Sequence, residues 1–240
     1  MKKILIISFI LFAITNLSFS QWVSQFNSNG YLEDVLFINE NTGFVTSSFG
    51  SSSAGGFYMT TNGGDHWIIL DSLNNSTQAL QYVGNKLLCF CLLGIFLEST
   101  NSGQSWNKKS HPIDYINSAY FINEMTGWIG GGGSIAEIYK TTNGGDDWIY
   151  QYGDSIEFCY IKSMYFLNEF TGIATEQVFP TMTTDYSGKI IKTNNGGVNW
   201  EITYQGGFND KYLWDASYNG NTFYAIDAKL PNGRNNVLLS

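Results

Sequence analysis

Within eight residues, Thr60–Trp67 (TTNGGDHW), stand an amide, a carboxylate, an imidazole and an indole around a glycine pair. Such a set could hold a ligand, or it could only hold a turn. Repetition decides between the two. The stretch returns as STNSGQSW at Ser99–Trp106, TTNGGDDW at Thr141–Trp148 and TNNGGVNW at Thr193–Trp200. A Ser or Thr, then Asn62, Asn101, Asn143 or Asn195, then Gly64, Gly103, Gly145 or Gly197, then Trp67, Trp106, Trp148 or Trp200 recur in register. The pairs before the tryptophan do not: Asp65-His66, Gln104-Ser105, Asp146-Asp147 and Val198-Asn199 share no chemistry. A site made by the motif itself would keep its reactive groups. Each kept residue has a structural task instead. The Asn side chain accepts from nearby backbone N–H groups, the Gly allows positive φ, the hydroxyl bonds back across the hairpin, and the Trp packs between neighbouring units.

Other candidate chemistry is thin. His111 lies in KKSHPID, a loop before a proline, and neither it nor His66 has a GxSxG context. Gly130–Gly133 in GWIGGGGSIAE lack the Lys and helix of a phosphate loop and read as a flexible strand-to-strand loop. Cys89 and Cys91 sit at strand spacing on one face of KLLCFCLLGIF, and with Cys159 make an odd total, so buried thiols fit better than a disulfide framework. No His or Cys cluster has metal-ligand spacing and the Asn/Asp turns do not match a calcium loop, so neither a metal nor a cofactor is expected.

The elements that position these residues follow from the repeat. Upstream of each octapeptide runs a second motif: VLFINENTGFV from Val35, AYFINEMTGWI from Ala119, MYFLNEFTGIA from Met164, a worn LQYVGNKLLCF from Leu80, and a late LWDASYNGNTFYAI from Leu213. The period of about 40–50 residues is that of propeller blades. Each unit reads strand, turn, strand, loop, strand, turn, strand; in the first these are roughly Leu32–Asn39, Gly43–Ser48, Phe57–Thr60 and Trp67–Leu70. The fold expected for residues 21–240 is therefore an all-β propeller of four-stranded antiparallel blades, with five units visible. Trp22, in QWVSQ, matches the Trp that opens each fourth strand, and VLLS at Val237–Ser240 matches a third strand. Two arrangements satisfy this: a closed ring whose N-terminal strand completes the last blade, or a piece of a larger propeller.

These motifs resemble the BNR or Asp-box repeat, and NENTGF followed by TTNGGDHW looks most like the propellers of the photosystem II assembly/stability factor-like family, in its secreted bacterial branch. The resemblance covers nearly all of residues 21–240 and implies the fold. This chain carries Asn where Asp is commoner in the box, shows five units where the family usually has more, and has Arg234 as its one arginine. Asp-box propellers also resemble sialidases, which clamp a carboxylate with three arginines; Arg234 alone cannot. A glycoside hydrolase of another type needs two facing carboxylates. Glu176, Asp185 or Asp215 are the candidates, and solvated surface charge is the plainer reading of each.

A binding role suits the sequence better than catalysis. The octapeptides and the NENTG turns fall on one face, so the opposite face carries the loops of varied length. The longest is Thr175–Gly188, with Glu176, Phe179, Pro180, Asp185 and Tyr186; Phe49, Ser134, Tyr152, Phe208, Asp210 and Tyr212 are further contributors. The expected partner is a protein or a carbohydrate. A formal charge of −8, becoming −10 without Lys2 and Lys3, disfavours nucleic acid and anionic membranes.

Residues 1–20 read as a signal peptide: Lys2 and Lys3, the apolar run Ile4–Ile14, and Ser18-Phe19-Ser20 before a cleavage point. A retained N-terminal anchor is the alternative. The mature chain is then expected in the envelope or outside the cell, with no integral membrane segment.

Overall fold

The computed structural model describes residues 23–26, 30–48, 56–70, 76–154, 159–178, 187–206, 212–228 and 237–239. They form antiparallel strands without a helix. Unit one comprises β1 (Tyr31–Phe37), β2 (Gly43–Ser48), β3 (Phe57–Thr60) and β4 (Ile68–Ile69). Unit two comprises β5 (Thr77–Val83), β6 (Lys86–Cys91), β7 (Ile95–Ser99) and β8 (Asn107–Ser110). Unit three comprises β9 (Tyr115–Phe121), β10 (Gly127–Gly132), β11 (Glu137–Thr141) and β12 (Ile149–Gly153). Unit four comprises β13 (Cys159–Phe166), β14 (Gly172–Val178), β15 (Ser187–Thr193) and β16 (Glu201–Gln205), and unit five β17 (Tyr212–Tyr218), β18 (Phe223–Ala228) and β19 (Val237–Leu239). Strands pair in sequence order within each unit, and one bridge, Gly132 to Tyr160, joins units three and four. This is the expected propeller architecture, with the four strands of unit one close to the bounds read from its sequence.

The second strands explain the buried residues. All six residues of β10 are buried, and so are those of β2. A Cβ on Gly130 would meet Ile161 Cγ2 at 2.7 Å, and one on Gly131 would meet the Tyr115 carbonyl oxygen at 2.1 Å. The glycine run is thus not the flexible loop its sequence suggested. Gly130–Gly132 form a buried strand where the backbone of unit three lies against its neighbours too closely for side chains. Cys89, Cys91 and Cys159 are buried thiols without a disulfide, as expected.

Successive units pack through their first strands, β1 on β5, β5 on β9, β9 on β13 and β13 on β17. Aromatic rings fill the seams. Trp106 of unit two lies edge-on to Phe57 of unit one at 5.1 Å between centroids, and Trp148 of unit three meets Phe96 of unit two at 6.2 Å. Trp128 is fully buried, stacked on Phe166 of unit four at 3.6 Å, and its Nε1 donates to the Gly196 carbonyl. These contacts put the octapeptide tryptophans between units.

Trp22 and the stretch 1–20, expected to be a signal peptide, lie outside the described residues, but the segment just after Trp22 does not. Phe26 packs on Trp67 at 6.0 Å, and a Cβ on Gly64 would meet Gln25 Oε1. Tyr152 packs on Trp200 at 6.4 Å, and a Cβ on Gly197 would meet Gln151 Oε1. Gln151 and Tyr152 follow Trp148 at the spacing at which Gln25 and Phe26 follow Trp22. Residues 23–26 therefore sit on unit one as the fourth strand of unit three sits on unit four. Beside them Leu32 and Val35 are 53% and 61% exposed, whereas the equivalent Ile161 and Met164 are 0% and 4% exposed. Among the described residues no complete blade covers this side of unit one.

Candidate functional site

The two ends of the blades differ in kind. At one end the repeated turns hold themselves. Thr60 Oγ1 accepts from Gly64 N at 2.9 Å and Asn62 N at 3.3 Å and donates to Asn62 Oδ1, which accepts from His66 N at 2.9 Å. The same set recurs at Ser99, Thr141 and Thr193. The hydroxyl bonds within its own turn rather than across the hairpin. The octapeptide also docks on the turn between strands one and two: Gly63 N donates to Asn41 O, Gly144 N to Met125 O and Gly196 N to Phe170 O. The amides of that upstream turn are held in turn by Asn39, Asn123 and Asn168. Both families of turn thus share one face, and their polar groups are consumed in building it.

At the other end, five first strands open on one cavity of about 370 Å³. Each strand carries a bulge at the same place: between Leu32 and Asp34, Thr77 and Ala79, Ile161 and Ser163, Leu213 and Asp215, and, seen from β10, at Asn117. A bulge opposes two residues to one and re-aims a side chain. The extra residues are Glu33, Gln78, Asn117, Lys162 and Trp214, and all five line the cavity. Aligned units place them in one column, each preceded by Leu, Thr or Ile, and the column itself carries a carboxylate, two amides, an ammonium and an indole. No shared residue type marks that column in the sequence.

In units one, three and four the residue after the bulge ties one unit to the next. Asp34 Oδ2 accepts from Leu80 N at 2.8 Å, Ser118 Oγ from Met164 N at 3.0 Å, and Ser163 Oγ from Ala216 N at 3.3 Å. Burial raises the Asp34 carboxyl above its ordinary range, against the pull of the Leu80 and Val35 N–H groups. Asp215 Oδ1 accepts from Ser163 Oγ at 2.7 Å and from Ala216 N at 2.8 Å, and Glu33 accepts from Ser48 Oγ. Gln78, Asn117 and Lys162 have no side-chain hydrogen bond to another described residue; Lys162 Nζ lies 5.0 Å over the ring of Trp214, which is 48% exposed.

Glu176 is buried rather than solvated. It lies in β14 between Tyr152, whose hydroxyl donates to Oε2 at 2.7 Å, and Lys189, whose Nζ lies 3.2 Å from Oε1 and also contacts Asp154. Burial raises the Glu176 carboxyl despite these partners. Burial also pulls Lys189 down, but Asp154 and Glu176 outweigh it and hold Lys189 above its ordinary range. The cluster pins unit three to unit four. Phe179, Pro180, Asp185, Tyr186, Asp210, Phe49, Phe208 and Arg234 lie outside the described residues, while Tyr212 opens β17. Ser134 lines a smaller groove of about 260 Å³ with Asp114, Tyr115 and Glu137, where burial and then the Asp114 charge raise the Glu137 carboxyl. His111 is buried, with Nε2 at 3.2 and 3.0 Å from the Cys91 and Ile95 carbonyls, and burial lowers its pKa despite those contacts. It is a packing residue. Among the described residues no group of His, Cys, Asp and Glu could hold a metal, and no helix is long and apolar enough to cross a membrane.

No family model and no curated protein sequence matches the chain. Solved structures do. YCF48 bound to D1 peptide is similar at 15% identity over 88% of this chain and 79% of that one, with a TM-score of 0.51. YCF48 from Cyanidioschyzon merolae is similar at 15% identity, covering 88% and 71%, with a TM-score of 0.56. The GH74 xyloglucanase from Xanthomonas campestris is similar at 10% identity, covering 83% of this chain but 35% of its own, with a TM-score of 0.56. At these identities the likeness establishes a shared β-propeller fold.

Proposed function

We propose that this chain is an exported, non-catalytic propeller of the Asp-box, photosystem II assembly factor-like kind, which holds a protein or glycan at the end where the cavity opens. The observation that carries this reading is the ring of bulges. One backbone device recurs in all five units and delivers five unlike side chains, Glu33, Gln78, Asn117, Lys162 and Trp214, to one cavity. Its carboxylates already accept backbone or hydroxyl hydrogen bonds, so they are poorly placed to shuttle protons in hydrolysis. A structural neighbour bound to a peptide and another that is a xyloglucanase support both partner classes.

The test is capture on peptide and oligosaccharide arrays, with the retained ligands then assayed for turnover. Retention without turnover is expected. A hydrolytic reading rests on the Asp114–Glu137 groove; release of reducing sugar that Glu137→Gln abolishes would establish it in place of ours. Export is tested by mass measurement of the exported chain, which should begin at Gln21.

A further inference from the structure

We propose that the bulge ring is a carbohydrate subsite that takes a neutral sugar unit against Trp214. This rests on the binding reading above and names its ligand class. The cavity, at about 370 Å³, has the size of a small-ligand site. Its polar groups are of mixed sense. Lys162 and the amides of Gln78 and Asn117 offer donors not spent on other described residues, and the carboxylates of Glu33 and Asp215 keep acceptor sites beyond their present bonds. A sugar hydroxyl both donates and accepts, so it satisfies either kind of station.

Charge argues against the other classes. Glu33, Asp34 and Asp215 outnumber Lys162 in the cavity, so a carboxylate or phosphate ligand meets net repulsion. A cationic side chain would have to displace or crowd Lys162, which already covers one face of Trp214. A neutral ligand meets neither obstacle. The exposed part of the Trp214 ring offers an apolar platform to the C–H face of a pyranose, while the ring of donors and acceptors reads its hydroxyls. The stations differ from unit to unit, which suits an asymmetric ligand better than a repeating one.

The experiment is calorimetric titration of the full chain with xyloglucan, cello-, manno- and malto-oligosaccharides, and in parallel with unstructured peptides of neutral, acidic and basic composition. The expected result is binding of at least one oligosaccharide, weakened roughly tenfold or more by Trp214→Ala, as loss of one stacking contact of about 1.4 kcal/mol requires. A double change, Gln78→Ala with Asn117→Ala, should weaken it further without altering the melting temperature. Binding of peptides alone, sensitive to Trp214→Ala, would overturn the sugar assignment and leave the binding function standing. Sugar binding indifferent to all three substitutions would overturn the cavity assignment. Absence of binding to either class would overturn both this proposal and the function it rests on.

Discussion

The turn face and the cavity face are built from the same repeat and use it in opposite ways. On the turn face both backbone and side chains recur: hydroxyl, Asn, Gly and Trp make the same contacts four times over. On the cavity face only the backbone recurs, and the five bulges present a carboxylate, two amides, an ammonium and an indole. Where chemistry repeats, it is spent on folding. Where geometry repeats but chemistry does not, the side chains are released for something outside the fold.

Stability measurements sharpen that contrast. The largest loss is expected from Trp128→Ala, which empties the stacked site against Phe166 and removes the bond to Gly196. It should cost about 3–5 kcal/mol in denaturant unfolding. Thr193→Val should cost about 1–3 kcal/mol, because the buried Gly197 N–H loses its acceptor. The cavity pair Gln78→Ala and Asn117→Ala should each change stability by less than about 0.5 kcal/mol. Equal losses at Thr193 and Asn117 would erase the distinction between the faces.

The buried cluster under the cavity face predicts a pH effect. The Glu176 carboxyl is raised by burial, so the folded state holds its proton more tightly than the unfolded chain. Folding then loses stability as pH rises from the ordinary glutamate range through the raised value, at up to about 1.4 kcal/mol per pH unit. Lys189 is raised as well, so its contribution is complete at neutral pH and is lost only as pH climbs above its ordinary value toward its folded one. Glu176→Gln should flatten the acid-side slope of melting temperature against pH and leave the alkaline loss attributable to Lys189 and Asp154. An unchanged slope would mean that Glu176 is not the titrating group.

A gain rather than a loss is expected in the one octapeptide that breaks the pattern. Ser102 occupies the position of Gly63, Gly144 and Gly196 and has φ of 57°. A side chain there costs about 1 kcal/mol, so Ser102→Gly should stabilise unit two by up to that amount. No gain in melting temperature would mean that local contacts already offset the strain.

Much of this fold was legible because a repeat tests itself. Four copies of one turn identify which residues the backbone requires, and the strand bounds of unit one follow from alternation and turn chemistry. The Gly130–Gly133 stretch was misread because close approach of Ile161 and the Tyr115 carbonyl is a fact about neighbours distant in sequence. Glu176 was read as solvated for the same reason, since its partners Tyr152 and Lys189 come from β12 and β15. The bulge column was present in the aligned units, but a bulge is a pairing irregularity between two strands and leaves no required residue type.

The sequence by itself determined the unit, its turns and its tryptophan seams. Local hydrogen bonding and the periodicity of apolar residues suffice for these. Only the tertiary structure decided that Glu33, Gln78, Asn117, Lys162 and Trp214 face one another, because their shared cavity exists only where strands of five separate units curl around a common axis.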